Sequence, residues 1–250
     1  MMYICALQIN ISLGNQYFQF KQFKVHQDRC AMKIGTDSVI LGAHTSLKRK
    51  PKSVLDIGAG TGILSLMLAQ RCDSDIIDAV EIDDNAFEQC TNNFEDSPWN
   101  DRLFCYHTSL EDFTAEVSDS YDLIITNPPY YSEDYKSANP QRDLARFQDA
   151  LPFANLLECV SKLLHKTGAF SIIIPFEEED ELKRLALNYG LFANDILRIK
   201  GHASALLKRS IIEFSFVKSN CNLNTLVIEK KRHQYTADYI KLTKKFYLKL

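Results

Sequence analysis

The chain has 250 residues, 46% of them apolar and 24% charged, which is enough for one substantial core and excludes a wholly disordered protein. Its 29 basic and 32 acidic side chains give a net charge of −3, yet the signs are sorted along the chain. Residues 1–50 hold 7 basic and 2 acidic groups and residues 198–250 hold 12 and 3, around a strongly acidic middle. Such basic flanks suit a polyanion, or else are plain solvated surface.

No run of about 18 apolar residues occurs, so a transmembrane helix is excluded. Met1 to Asn10 lacks a basic n-region and reads as a strand rather than a signal peptide. The seven cysteines include no CxxC pair, which fits neither a zinc cluster nor a disulfide framework and points to the cytoplasm.

The elements then follow in order. Thr36-Asp37 reads as the capped start of a helix over the apolar run Val39 to Leu47. Ser53 to Gly58 is a strand, Ile63 to Arg71 a helix, Ile76 to Ile82 a strand, Asn85 to Phe94 a helix and Leu103 to Thr108 a strand. A fourth strand, Tyr121 to Thr126, ends at Asn127-Pro128-Pro129-Tyr130, where two prolines forbid a ladder or a helix interior. Leu151 to Lys166 reads as a helix stopped by Gly168, Ala169 to Pro175 as a strand, and Glu177 to Tyr189 as a helix ended by Gly190. β-rich text covers Leu191 to Lys200, Ser210 to Lys218 and Leu223 to Glu229. Strands alternating with helices make an α/β, doubly wound, mainly parallel sheet, closed by an antiparallel C-terminal hairpin. Residues 1–50 read as an N-terminal extension packed on a main domain of residues 51–250.

The first strand runs into Asp56-Ile-Gly58-Ala-Gly60-Thr-Gly62, a turn in which glycines let backbone approach a ligand closely. A dinucleotide fingerprint needs Gly or Ala at the sixth position counting Gly58 as the first, where Ile63 stands, and no GxxxxGK[ST] loop exists. Glu81, ending the second strand 21 positions after Gly60, is placed to accept ribose hydroxyls. Asp56 can hold an ammonium group, directly or through water. The bland alternative for either carboxylate is a helix cap or a surface charge.

At Asn127 the chemistry concerns a planar nitrogen. An exocyclic amine is a poor nucleophile because its lone pair is delocalised into the ring. The side-chain oxygen of Asn127 and the carbonyl of Pro128 can each accept one N–H, aiming the lone pair for in-line attack. Pro128 and Pro129 stiffen the loop, and Tyr130 offers a face for stacking an extruded base, worth ~1–3 kcal/mol. The bland reading is that the prolines merely end a strand and that Tyr130 is packing. No Pro-Cys pair stands here, which disfavours a cysteine nucleophile, and the six histidines show no HxxxH or HExxH spacing, so no metal is expected.

The DxGxGxG loop with Glu81 resembles the class I S-adenosylmethionine-dependent methyltransferases. That resemblance implies a Rossmann-like, seven-stranded sheet, S-adenosylmethionine as cofactor and S-adenosylhomocysteine as product. It places Ser109 against the cofactor's adenine, where such enzymes commonly carry an acidic residue. The NPPY motif serves adenine N6 in DNA and RNA, guanine N2 in ribosomal RNA, and the glutamine side chain of release factors.

The stretch Phe20-Lys-Gln-Phe-Lys-Val-His-Gln-Asp-Arg-Cys-Ala-Met-Lys-Ile-Gly-Thr-Asp-Ser-Val-Ile-Leu-Gly42 resembles the N-terminal motif of the bacterial tRNA(Val) adenine-N6-methyltransferases. Tyr235 to Leu248 resembles that family's terminal YT…Y…LT…FYL signature. The resemblance implies methylation of the adenine 3′ of the anticodon, with Lys33, Gly35, Thr36 and Asp37 folded over the cofactor's methionine end. Arg29, Lys200, Lys208 and Arg209, with Lys24, His202 and Lys230 to Arg232 nearby, are expected to meet tRNA phosphates. A monomer is expected. The rival readings are a protein-glutamine N5-methyltransferase, a guanine-N2 rRNA methyltransferase, and a non-catalytic RNA-binding protein, against which the intact Asn127 and glycine loop argue.

Overall fold

The computed structural model describes residues 16–129 and 152–249; the strand expected at Met1 to Asn10, and Tyr130, lie outside them. Strands β1 (Tyr17–Gln19) and β2 (Lys24–His26) make a small antiparallel hairpin, followed by α1 (Thr36–His44). Then come β3 (Ser53–Ile57), α2 (Ile63–Arg71), β4 (Ile76–Glu81), α3 (Asp84–Glu95), β5 (Leu103–His107), α4 (Leu110–Glu116) and β6 (Tyr121–Thr126). The second half holds α5 (Phe153–Leu163), β7 (Leu164–Pro175), a short 3-10 turn (Phe176–Glu178), α6 (Glu179–Leu187), β8 (Phe192–His202), β9 (Leu207–Ser215), β10 (Asn222–Lys231), β11 (Gln234–Tyr235) and α7 (Ala237–Thr243).

One sheet runs in the order β11-β10-β8-β9-β7-β6-β3-β4-β5. Strands β3 to β7 are mutually parallel, and β9 lies antiparallel between β7 and β8, as the late hairpin requires. The sheet has nine strands rather than seven, because β10 adds to β8 in parallel and β11 folds back on it. Apolar faces on both sides are covered: α1, α2 and α3 pack one core and α4, α5 and α6 the other. Phe20, Phe23 and Val25 of the N-terminal hairpin are buried in the first of these cores.

Local chemistry explains the boundaries. Helix α2 is buried from Ile63 through Ala69, so it is enclosed rather than amphipathic. Its terminal carbonyls are met by Arg102, whose guanidinium donates to Ala69, Cys72 and Ser74 at 2.8–3.0 Å. Helix α5 stops at Leu163, three residues short of the expected Lys166, and β7 begins at once. The cause is an irregularity in the β6–β7 register at which Gly168 lies so close to its neighbours that a Cβ would stand 3.0 Å from the Asp122 carbonyl. Gly35, not Thr36, precedes the first turn of α1, and no side chain caps it. The late hairpin is shifted too: β8 runs past Lys200 to His202, and β9 starts at Leu207 and ends at Ser215.

That hairpin is tied to α6 by a buried ion pair. The Glu179 carboxylate accepts from Arg198 Nε and Nη2, from Ser210 Oγ and from Lys183 Nζ, at 2.5–3.2 Å. Burial by itself would raise its pKa, but these donors outweigh it and hold the carboxyl at about 2.

Candidate active site

The carboxyl ends of β3 and β6 adjoin, with Ile57 paired to Thr126, so the glycine loop and Asn127 leave the sheet side by side. Here the chain turns from the β3-β4-β5 half to the β6-β7 half, the place where open α/β sheets receive ligands. Thr126 locks the junction by donating from Oγ1 to the Ile57 carbonyl at 2.8 Å.

The loop is held open on one side and packed on the other. The N–H groups of Gly58 and Ala59 both donate to the Val80 carbonyl, at 2.9 and 3.1 Å. Gly58 and Gly60 have φ of +68° and +55°, and a Cβ on either would meet nothing within 4 Å. Gly62 differs: at φ +75°, a Cβ there would stand 2.5 Å from a ring carbon of Phe94 and 2.9 Å from the Cys90 sulfur. The first two glycines therefore leave room for a ligand, while the third lets the loop close on α3.

The two carboxylates are already at work in the loop. Asp56 is fully buried, and its Oδ2 accepts from the Ser65 N–H and hydroxyl at 3.1 and 2.8 Å. Its Oδ1 is buried with no hydrogen-bond partner among the described residues. Burial pushes the Asp56 carboxyl up to about 7, although the Ser65 bonds oppose it. Glu81 is 8% exposed; Oε2 accepts from Gly60 N at 2.7 Å, and Oε1 from the N–H groups of Ile82 and Asp83 at 2.9 and 3.0 Å. Three of the roughly four acceptor positions of this carboxylate thus brace the loop and the start of α3. Acidic groups beside an open backbone cradle suit a ligand with a cationic end and hydroxyl groups.

The N-terminal segment is fastened over this mouth. Fully buried Asn93 accepts from His26 N and donates to the carbonyls of His26 and Thr61, at 2.8–2.9 Å, joining β2 to the glycine loop. Gln27 Oε1 accepts from Ile34 N at 2.9 Å and shapes the turn toward α1. Cys30 is raised to about 12, first by burial and then by the charges of Glu81, Asp83 and Asp28, so its thiol stays protonated. Lys33, Gly35 and Thr36 are exposed, and Asp37 is half-buried.

Asn127 emerges half-buried between these parts, with Pro128 and Pro129. Its Nδ2 donates to the hydroxyl of buried Ser38 at 2.8 Å, so the nitrogen end of the amide faces the first turn of α1. One residue earlier, Asp37 Oδ2 accepts from Arg209 Nε at 2.9 Å. Two consecutive residues of α1 therefore hold β6 and β9. Ser38, Ser65 and Asn93 were missed from sequence. The only signal was a polar residue at a position the helical pattern reserves for apolar ones, visible once the partner is known.

The residues expected at tRNA divide. Lys200, His202, Lys208 and Arg209 lie around the β8–β9 turn, at the same end of the sheet as Asn127, because β8 ends and β9 begins there. Arg209, however, is engaged by Asp37, at 13% side-chain exposure. Arg29 pairs with Glu88 at 2.9 Å on the exposed face of α3. Ser109 stands just beyond the end of β5 and caps α4, accepting from Asp112 N at 3.0 Å and donating to Asp112 Oδ2 at 2.7 Å. No group of three or more His, Cys, Asp or Glu able to hold a metal occurs among the described residues, and no helix among them is long and apolar enough to cross a membrane.

Comparison with known proteins bears on this geometry. Residues 30–149 match the family model of the methyltransferase small domain. A Flavobacterium psychrophilum protein named tRNA1(Val) (adenine(37)-N6)-methyltransferase is 54% identical over 233 residues, 93% of this chain and 100% of that protein. A Bacteroides fragilis protein of the same name is 42% identical, covering 95% of this chain and 100% of its own length. Among solved structures, a predicted O-methyltransferase of Agrobacterium tumefaciens superposes with a TM-score of 0.64 at 16% identity, over 84% of this chain and 96% of that one. The tRNA m1G37 methyltransferase of M. jannaschii gives 0.57 at 14% identity, over 81% and 57%. At such identities the two structures share the fold.

Proposed function

The chain belongs to the tRNA1(Val) (adenine(37)-N6)-methyltransferase family, and from that premise we propose that it methylates N6 of adenine 37 in tRNA(Val), with S-adenosylmethionine as donor. It is an enzyme, and its substrate is an RNA that it meets in the cytoplasm, as a monomer. We assign the catalytic fold to the domain that starts at residue 51, with the described part of the preceding segment, residues 16–50, as an extension packed on it.

The observation that supports this reading best is the seat of Asn127 beside the open glycine loop, with its amide turned by Ser38. S-adenosylmethionine supplies an electrophilic methyl group on a sulfonium centre. When bound, it would be held by the backbone of Gly58 and Gly60, by Glu81 through a ribose hydroxyl, by Asp56 and the segment Lys33 to Asp37 at the amino-acid end, and by Ser109 at the adenine. Asn127 Oδ1 and the Pro128 carbonyl accept the two N–H bonds of the base amine. Holding both N–H bonds out of the ring plane returns the lone pair to nitrogen and points it into the site. Pro128 and Pro129 keep that corner stiff.

The test is nucleoside mass spectrometry of tRNA(Val) incubated with the chain and methyl-tritiated S-adenosylmethionine. N6-methyladenosine at position 37 is expected, and label in a peptide rather than in RNA would overturn the reading. Asn127→Ala should bind cofactor and tRNA but lose turnover by roughly 100-fold or more, as for removal of one oriented polar group at a reacting centre.

A further inference from the structure

Among the described residues, a concentration of positive charge without carboxylate partners lies away from the site. A concavity of about 740 Å³ is lined by Lys21, Gln22, Leu47, Gln70, Arg71, Lys244 and Lys245. Its four cations come from three distant segments: the turn between β1 and β2, the end of α2, and the stretch after α7. None of the four has a carboxylate within 4.0 Å among the described residues, although Arg29, Lys52, Lys162, Lys183, Arg184, Arg198 and Arg209 all do.

The walls are tied by main-chain acceptors rather than by acids. Lys21 Nζ donates to the Lys244 carbonyl at 2.6 Å, Gln70 Nε2 to the Lys245 carbonyl at 3.1 Å, and Arg71 Nη1 to the Gly42 carbonyl at 2.5 Å. The like charges are thus gathered and held in place without neutralisation, an arrangement that costs stability until an anion fills it. A chain of net charge −3 has acidic groups to spare, and none is placed here.

We infer that this hollow is a second seat for the phosphate backbone of the tRNA, remote from the base being modified. The inference rests on the tRNA reading above. Helix α1 sets the distance: Ser38 in its first turn touches Asn127, and Leu47, just past its end, lines the hollow. At 1.5 Å per residue the stretch from Ser38 to Leu47 spans roughly 14 Å, within reach of one double-helical arm. Arg29 and Arg209, expected at phosphates from the sequence, are engaged by Glu88 and Asp37, while Lys200 and Lys208 stand at the Asn127 end of the sheet, so the cations of the hollow add a second place for holding the backbone.

The test is a fluorescence-anisotropy titration of labelled tRNA(Val) at 50–200 mM salt, comparing wild type with Lys244→Gln/Lys245→Gln. Both lysines are exposed, so the fold is kept. Each phosphate contact contributes about 0.7–0.9 to the log–log salt slope. Losing two flattens it by about 1.6, so over this four-fold range wild-type affinity should fall about nine-fold more than the variant's. Lys162→Gln/Lys166→Gln, on α5 and β7, should leave the slope unchanged, and cofactor affinity should match wild type in both. An unchanged slope in the first variant, or an equal flattening in the second, overturns the inference alone. A wild-type chain that neither binds nor methylates tRNA(Val) overturns the functional reading with it.

Discussion

Replacing Ser38 by alanine removes the hydroxyl that accepts from Asn127 Nδ2 at 2.8 Å and touches nothing assigned to the cofactor. Ser38 is 9% exposed, so water reaches the vacated position poorly. Leaving a covered N–H without this acceptor costs about 1–3 kcal/mol, and the amide recovers part of it by turning away from the orientation that serves the substrate amine. At about 1.4 kcal/mol per factor of ten, turnover should fall by roughly 5-fold to 100-fold. The assay is single-turnover transfer of tritiated methyl to tRNA(Val), with KM for S-adenosylmethionine measured in parallel. That KM should stay within about two-fold of wild type, since the loss is confined to the reacting geometry. Ser38→Thr keeps the hydroxyl and should recover most of the turnover. Wild-type turnover in Ser38→Ala would refute the reasoning. So would a rise in KM matching the loss of turnover, which would mean that α1 had loosened as a whole.

Other predictions follow from the same geometry. Gly62→Ala should unfold or strongly destabilise the chain, by about 2–5 kcal/mol from the left-handed backbone and the overlap with Phe94 together; Gly58→Ala should lose only about 1–2 kcal/mol in thermal melts while weakening cofactor binding in calorimetry. Asp56, raised by burial from 3.8 to about 7, favours folding in its protonated form, so its contribution is complete below pH 4 and is lost as pH climbs to 7. That loss amounts to about 4 kcal/mol, and denaturant titrations should show a flatter profile over this range in Asp56→Asn. Glu179, held at about 2, behaves oppositely: its contribution is present above about 4.5 and is lost as pH falls toward 2. Glu179→Gln should lower stability at pH 7 by about 3–5 kcal/mol, because Arg198 is left without its charge partner; a change under 1 kcal/mol would contradict the buried pair.

What the sequence made legible was local. Helix α2 begins and ends where its apolar run does, and β3 and β6 stop at the glycines and prolines that break them. The rule for parallel sheets puts Gly58 and Asn127 at the carboxyl end of the sheet, and the structure sets β3 beside β6. What stayed hidden depends on partners far along the chain. Arg209 reads as a phosphate ligand until Asp37, 172 positions away, is seen beside it. Ser38 looks like an ordinary helix residue until Asn127 arrives 89 positions later. The end of α5 was misplaced because the close strand approach at Gly168 is a property of two strands, not of one. Strand β10 is legible at Leu223 to Glu229, but the two-residue β11 is not, because so short an edge carries no alternation between apolar and polar faces.

The first and last segments clasp each other. Phe20 bridges to Tyr247, and Lys21 donates from its main chain to the Phe246 carbonyl at 2.8 Å. During synthesis the N-terminal hairpin is first tethered by Asn93, and the contact with Phe246 and Tyr247 is made last. A nascent chain carrying the complete central sheet therefore still lacks the clasp that steadies the turn bearing Asp37 and Ser38. A prematurely released product would therefore keep the Asn93 tether and the Asn127–Ser38 contact but lack this last fastening of the hairpin.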